Sequence, residues 1–169
     1  MKKAIVFLTL IIFYLFLQAQ TSIPRAQSMF IYNFSRLIEW PAAYKSGVFK
    51  IGVLGSGDVV DELIDYTRGK RVGAQTIQIN TFLNPSEITK CHILFVVYGK
   101  TNKVPEVISQ IGSNSTLLIT EKRGATDDGA AVNFLIVSNS LKFELKPSNA
   151  TKQGLKLNPK LNEMALKVY

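Results

Sequence analysis

Lys90-Cys91-His92-Ile93-Leu94-Phe95-Val96-Val97 (KCHILFVV) is the stretch on which the fold turns. From His92 onward it is apolar without alternation and ends in two valines. That pattern reads as a strand buried on both faces, as in a parallel sheet covered by helices. Upstream, Val48 to Leu54 is a short apolar run bounded by glycines and reads as a second strand. Gln75 to Asn80 alternates Ile77 and Ile79 with polar residues, which predicts a half-buried strand. Downstream, Thr116 to Thr120 is again strand-like, and Ala131 to Val137 and Leu141 to Leu145 flank Ser138-Asn139-Ser140 as a hairpin. Between these runs lie helices. Arg25 to Trp40 carries Phe30, Phe34, Leu37 and Ile38 at helical spacing and is closed by Pro41. Asp58 is read as the cap of a helix reaching about Arg68. Pro105 suits the first turn of a helix ending near Ile111, and two more helices are expected near Pro147 to Gln153 and Pro159 to Lys167. Strands alternating with helices, then a hairpin, predict an α/β domain with a mixed sheet.

The N-terminus reads differently. Met1-Lys2-Lys3 is followed by AIVFLTLIIFYLFL, Ala4 to Leu17, and then by Gln18-Ala19-Gln20. A short cationic start, an apolar run and a small residue at the cleavage position are the layout of a secretory signal peptide. A membrane span needs roughly 20 apolar residues, which this run does not reach. An uncleaved anchor is the competing reading, because Leu17 is a poor residue at position −3. The expected organisation is a signal peptide over residues 1–19 and one α/β domain over residues 20–169, exported to the periplasm. The leader inflates the 47% apolar content, and with Lys2 and Lys3 set aside the formal charge of +8 becomes +6. Such a balance permits attraction to an acidic partner or to anionic lipid, beside the plainer reading of a lysine-rich solvated surface. No basic stripe with interleaved aromatics supports binding to nucleic acid.

Several segments resemble the YfiR family of exported bacterial signalling proteins. They are YNFSRLIEWP (Tyr32 to Pro41), FKIGVLGSGD (Phe49 to Asp58), KCHILFVV, GATDDGAAVNF (Gly124 to Phe134) and the ending FELKPSNATKQGLKLNPKLNEMAL. They occur in order and span almost the whole chain beyond the leader. The resemblance implies a Rossmann-like mixed sheet flanked by helices, with a C-terminal β-hairpin and terminal helices. It also implies a non-catalytic regulator that binds a membrane-bound signalling partner, a diguanylate cyclase of cyclic di-GMP signalling or a sensor kinase. Pairing into homodimers is implied as well. Cys91 is the single cysteine, so no intramolecular disulfide switch carries over. The terminal helix has lysine and asparagine where an arginine-rich pattern is usual.

The residues that could carry chemistry are few. Gly52, Gly55 and Gly57 form a loop between a strand and a helix, and a helix N-terminus can hold an anion. The spacing is not the dinucleotide G-x-G-x-x-G and there is no P-loop lysine, so a tight turn is the plainer reading. His92 is the only histidine, and neighbours on a strand point to opposite faces, so Cys91 and His92 do not share a metal or form a nucleophile–base pair. Zinc needs three or four convergent ligands. Glu121, Asp127 and Asp128 form the one acidic group, without the spacing of a calcium loop. There is no G-x-S-x-G elbow. Trp40 has two readings, a core residue under the sheet or an anchor on an exposed docking helix. The expectation is therefore no catalytic residue, no cofactor and no metal. Trp40, Gly55, Ser56, Gly57 and His92 stand as candidate contacts to a partner or ligand. The alternative function is a small-ligand module using the crevice at the strand ends.

Overall fold

The computed structural model describes residues 21–169, so the expected signal peptide lies outside the described residues. KCHILFVV supplies β5 (Ile93–Val96), every residue of which is buried. It runs parallel between β2 (Phe49–Leu54) and β6 (Leu117–Thr120), with Ile93 opposite Ile51 on one side and Leu117 on the other. Its side chains alternate between two cores. Ile93 and Phe95 join Ile31, Phe34, Ile51, Val53 and Phe143, whereas Leu94 and Val96 join Leu54, Val104, Val107 and Leu118. A continuous apolar run is needed because both faces are covered.

Among the described residues the sheet has eight strands. β4 (Gln75–Phe82) lies beyond β2, with β3 (Arg71–Val72) outside it; on the other side β6 leads to β7 (Val132–Val137), β8 (Ser140–Leu145) and β10 (Lys167–Val168). The strands β4, β2, β5, β6 and β7 are mutually parallel, while β3 on β4 and β8 on β7 are antiparallel. α1 (Ile23–Leu37) and α2 (Asp58–Thr67) supply Ile31, Phe34, Val59 and Leu63 to the first face. α3 (Val104–Ile111) and the short α4 (Ala125–Asp128) supply Val104, Val107, Ile111 and Ala125 to the second. On the first face Phe34 stacks on Phe134 at 6.1 Å and meets Phe143 edge-on at 5.1 Å, tying α1 to the hairpin. The architecture is the mixed α/β sheet flanked by helices that the sequence predicts. Among the described residues no helix is long and apolar enough to cross a membrane.

Four local expectations are corrected. α1 ends at Leu37 rather than Trp40, because Ile38 turns extended and Ile38–Glu39 form β1, paired antiparallel with β9 (Lys156–Leu157). Tertiary pairing overrides the helical spacing there. Asp58 is not the cap: Gly57, at φ 135°, holds that position and Asp58 is the first helical residue, where a carboxylate suits the helix dipole. Ser140 opens β8, leaving Ser138-Asn139, with φ 47° and 60°, as a two-residue turn whose twist matches the strands. The last helix is only Lys160–Met164 (α6, after α5 at Pro147–Lys152), and the chain then adds β10 parallel to β8.

Candidate functional site

From β2 the chain crosses to β4 on one side and returns to β5 on the other. The loops after β2 and β5 therefore touch at their base and then part towards α2 on one face and α3 on the other, and in open α/β sheets ligands bind in the crevice this opens at the carboxyl ends. Here the crevice has a volume of about 370 Å³ and is lined by Gln27 of α1, Gly55 and Ser56, Asp58, Tyr98, Lys100 and Glu121, among others. Gly55 is required by geometry. Its φ is +116°, its N–H donates to the Phe82 carbonyl at 2.9 Å, and a Cβ built on it would meet Val97 Cγ2 at 2.3 Å. Only glycine lets the two loops approach this closely.

The electrostatics are set by Glu121, the residue following β6. One carboxylate oxygen accepts the Tyr98 backbone N–H at 2.7 Å and the other accepts Gln27 Nε2 at 2.5 Å. Burial pushes this carboxyl above its ordinary range, and the two hydrogen bonds oppose that shift only in part. Asp58 adds a second carboxylate, and Lys100 is drawn aside by donating to the Leu83 carbonyl at 2.8 Å. The N-terminus of α2 already has Asp58 and Asp61 in its first turn. A phosphate would meet two carboxylates, so the lining favours hydrogen-bond donors and cationic groups over anions.

Tyr98 and Glu121 also border a second hollow of about 330 Å³, with Arg123, Phe134, Leu135, Ile136 and Leu141. Tyr98 is 75% and Ile136 61% exposed, so the carboxyl end of the sheet carries a polar crevice with an apolar rim beside it. Sequence reading did not select Tyr98 or Gln27, took Asp58 only as a helix cap, and grouped Glu121 with Asp127 and Asp128. The structure separates them, since Asp127 and Asp128 pair on the surface with Lys146 at 2.7 Å and Lys122 at 2.6 Å. The signal available was positional: Gly55, Tyr98 and Glu121 each stand within two residues of the end of consecutive parallel strands.

The five candidate contacts fall at opposite ends of the sheet. Gly55 and Ser56 line the crevice, and Gly57 caps the helix beside it. Trp40 and His92 lie at the amino ends of β2 and β5. Trp40 is buried, meets Phe49 edge-on at 5.1 Å, and donates its indole N–H to the His92 carbonyl at 3.3 Å. His92 stacks on Phe49 at 4.2 Å. Its Nδ1 accepts the Lys50 N–H at 3.0 Å and its Nε2 lies 2.8 Å from the Tyr44 carbonyl, which requires the proton on Nε2 and a neutral ring. Burial lowers its pKa, with the nearby Lys90 and Lys50 charges acting in the same direction. Cys91 faces the opposite core, where burial pushes its thiol up to about 12. Both histidine nitrogens are thus engaged by backbone, and the thiol is held as a thiol. Among the described residues no group of three or more His, Cys, Asp or Glu is placed to hold a metal ion.

A family model described as YfiR/HmsC-like matches residues 24–166. No curated protein matches the chain. Among solved structures, a conserved domain protein from Vibrio cholerae O1 biovar El Tor strain N16961 is similar at TM-score 0.58 and 10% identity, covering 88% of this chain and 60% of that one. An ABC domain in complex with L-Trp from Streptococcus pneumoniae is similar at TM-score 0.60 and 14% identity, covering 86% of this chain and 60% of its own. The chain thus spans about three fifths of the length of these two structures, and the likeness is one of fold.

Proposed function

Because the chain belongs to the YfiR/HmsC-like family, we propose that it is a non-catalytic periplasmic regulator that binds and modulates a membrane-bound signalling protein, a diguanylate cyclase or a sensor kinase. The observation that carries this reading is the family match over residues 24–166, together with the use made of the reactive side chains. His92 spends both nitrogens on backbone groups and Cys91 is buried with a raised pKa, so the residues best suited to nucleophilic or acid–base work serve the core. The leader-like start, Met1 to Gln20, supports export. The rim of Tyr98 and Ile136 supplies exposed apolar anchors of the kind that bind proteins. The test is affinity capture from detergent-solubilised envelopes. Co-purification of an integral membrane protein bearing a cyclase or kinase domain, with a changed output on mixing, supports the reading; a wild-type chain that recovers none refutes it.

The crevice favours a second reading, a small-ligand module. It lies at the switch point of the sheet and is lined by hydrogen-bonding groups from four segments of the chain. The similar Streptococcus domain is described in complex with L-Trp, which makes amino acids reasonable first probes. A ligand at a hundredfold excess over Kd stabilises by about 2.7 kcal/mol, which a thermal melt detects. The two readings are compatible, since a ligand in the crevice contacts Tyr98 and would alter the rim.

A further inference from the structure

β4 pairs with β2 over Ile77 to Phe82, from Ile77 opposite Phe49 to Phe82 opposite Leu54. On its other side β3 covers only Gln75 and Thr76, and among the described residues no strand covers Ile77 to Phe82. The Phe82 carbonyl points towards β2, because it accepts the Gly55 N–H. Backbone groups alternate along a strand, so the N–H and C=O of Ile77, Ile79 and Thr81 point outward. Edges of this kind are usually guarded by lysine, proline or a bulge. Ile77-Gln78-Ile79-Asn80-Thr81 carries no lysine and no proline, whereas the opposite edge is closed by β10 with Lys167 in it and Lys142 nearby.

A groove of about 420 Å³ runs beside this edge, with Ile64, Ile77 and Ile79 along it and Arg68, Lys70 and Arg71 around it. Ile64 is 44% exposed, and Arg68 is partly neutralised by Asp65 at 2.7 Å. Lys70 sits over the Tyr66 ring at 3.3 Å. Open backbone donors and acceptors, an apolar trough and a basic rim thus coincide.

We propose that this edge accepts an extended acidic segment of a partner protein as an added strand. The main chain of that segment pairs with Ile77, Ile79 and Thr81, alternate apolar side chains enter the trough, and its carboxylates face Arg68 and Arg71. A second copy of the chain fits less well. Self-pairing would bring Ile77 to Thr81 against itself, and that segment carries no acidic residue to answer either basic rim. The inference rests on the partner-binding reading only for its biological role.

The test uses the purified protein, the peptide acetyl-Asp-Val-Thr-Val-Thr-Val-Glu-amide, and an analogue with lysine at both ends. The acidic peptide is expected to slow hydrogen exchange at the Ile77, Ile79 and Thr81 amides, more weakly as salt rises. Its affinity is expected to fall about tenfold in an Arg68→Glu/Arg71→Glu variant, equivalent to about 1.4 kcal/mol. Ile79→Lys, an edge guard, is expected to abolish it with the fold checked by melting. Four results would overturn the proposal: no protection by the acidic peptide, equal binding of the lysine analogue, protection that rises with protein concentration alone, or binding to phosphatidylglycerol vesicles while these amides stay open. If Ile79→Lys still co-purifies with the membrane partner, strand addition fails and the regulator reading stands. If the wild type takes the peptide but recovers no signalling protein, the reverse holds.

Discussion

A Cβ built on Gly55 would stand 2.3 Å from Val97 Cγ2, so the loops after β2 and β5 meet at a point where no side chain fits. The contact closes the floor of the crevice, and the strand order brings the two loops together. Gly55→Ala combines a left-handed backbone, at φ +116°, with overpacking against a side chain rooted in the loop. The expected cost is about 2–4 kcal/mol. Gly57→Ala is the control: φ is +135°, yet nothing lies within 4 Å of its Cβ, so only backbone strain of about 1–3 kcal/mol is expected. Denaturant melts of the two variants measure the difference.

Trp40 and Tyr98 should separate stability from recognition. Trp40 is 5% exposed and wedged on Phe49, and Trp40→Ala is expected to cost about 3–5 kcal/mol. Tyr98 is 75% exposed on the rim, and Tyr98→Ala is expected to change stability by less than about 0.5 kcal/mol. If the rim binds the partner, Tyr98→Ala lowers affinity in a pull-down while the melt is unchanged. A folded Trp40→Ala protein that lost only its partner would instead restore the docking reading of Trp40.

The unequal legibility of fold and site follows from where each signal resides. KCHILFVV announces its strand because both faces of β5 are buried, and the burial is written into consecutive residues. The hairpin is legible as well, but not the length of its turn, since Ser140 belongs to β8 through its pairing with Val137. β1 and β10 leave no such trace, since each is two residues long and exists only because β9 or β8 offers an edge. The crevice is harder still. Gly55, Tyr98 and Glu121 are separated by dozens of positions and are joined by strand order alone. The segments that carry the family resemblance are largely structural. Asn149, in the ending FELKPSNAT, donates to the Thr126 and Ala130 carbonyls at 2.7 and 2.9 Å, and so fastens α5 to the GATDDGA loop. A motif can therefore identify a family through its scaffold and say little about its contacts.

His92 should give the stability curve a slope. The unfolded imidazole titrates near about 6.5, and burial holds the folded one lower. Between those values the unfolded state binds a proton that the folded state does not, so stability rises with pH. It is complete above about pH 6.5 and lost as the pH falls towards the folded value, by at most about 1.4 kcal/mol per unit. Glu121, raised by burial, tilts the other way above its ordinary value of 4.5. The measurement is therefore a difference: urea melts of wild type and His92→Gln at several pH values, with the wild type expected to lose more stability on acidification. Parallel curves would contradict the neutral buried ring.

Cys91 offers the last prediction, a chemical one. Its thiol is 3% exposed and pushed up to about 12 by burial, a shift that the Gly52 backbone, the Thr116 hydroxyl and the Lys50 charge oppose without reversing. Thiolate is the reactive species, so at about pH 8 the folded protein should not react with a disulfide reagent over hours, whereas the urea-unfolded chain should react within minutes. Labelling in the native state should then report opening of the β2–β5 core. The Gly55→Ala protein, destabilised at the end of both strands, should label about thirtyfold or more faster if its cost is about 2 kcal/mol or greater. Fast labelling of the untouched wild type would mean that the second face of the sheet is looser than its packing implies.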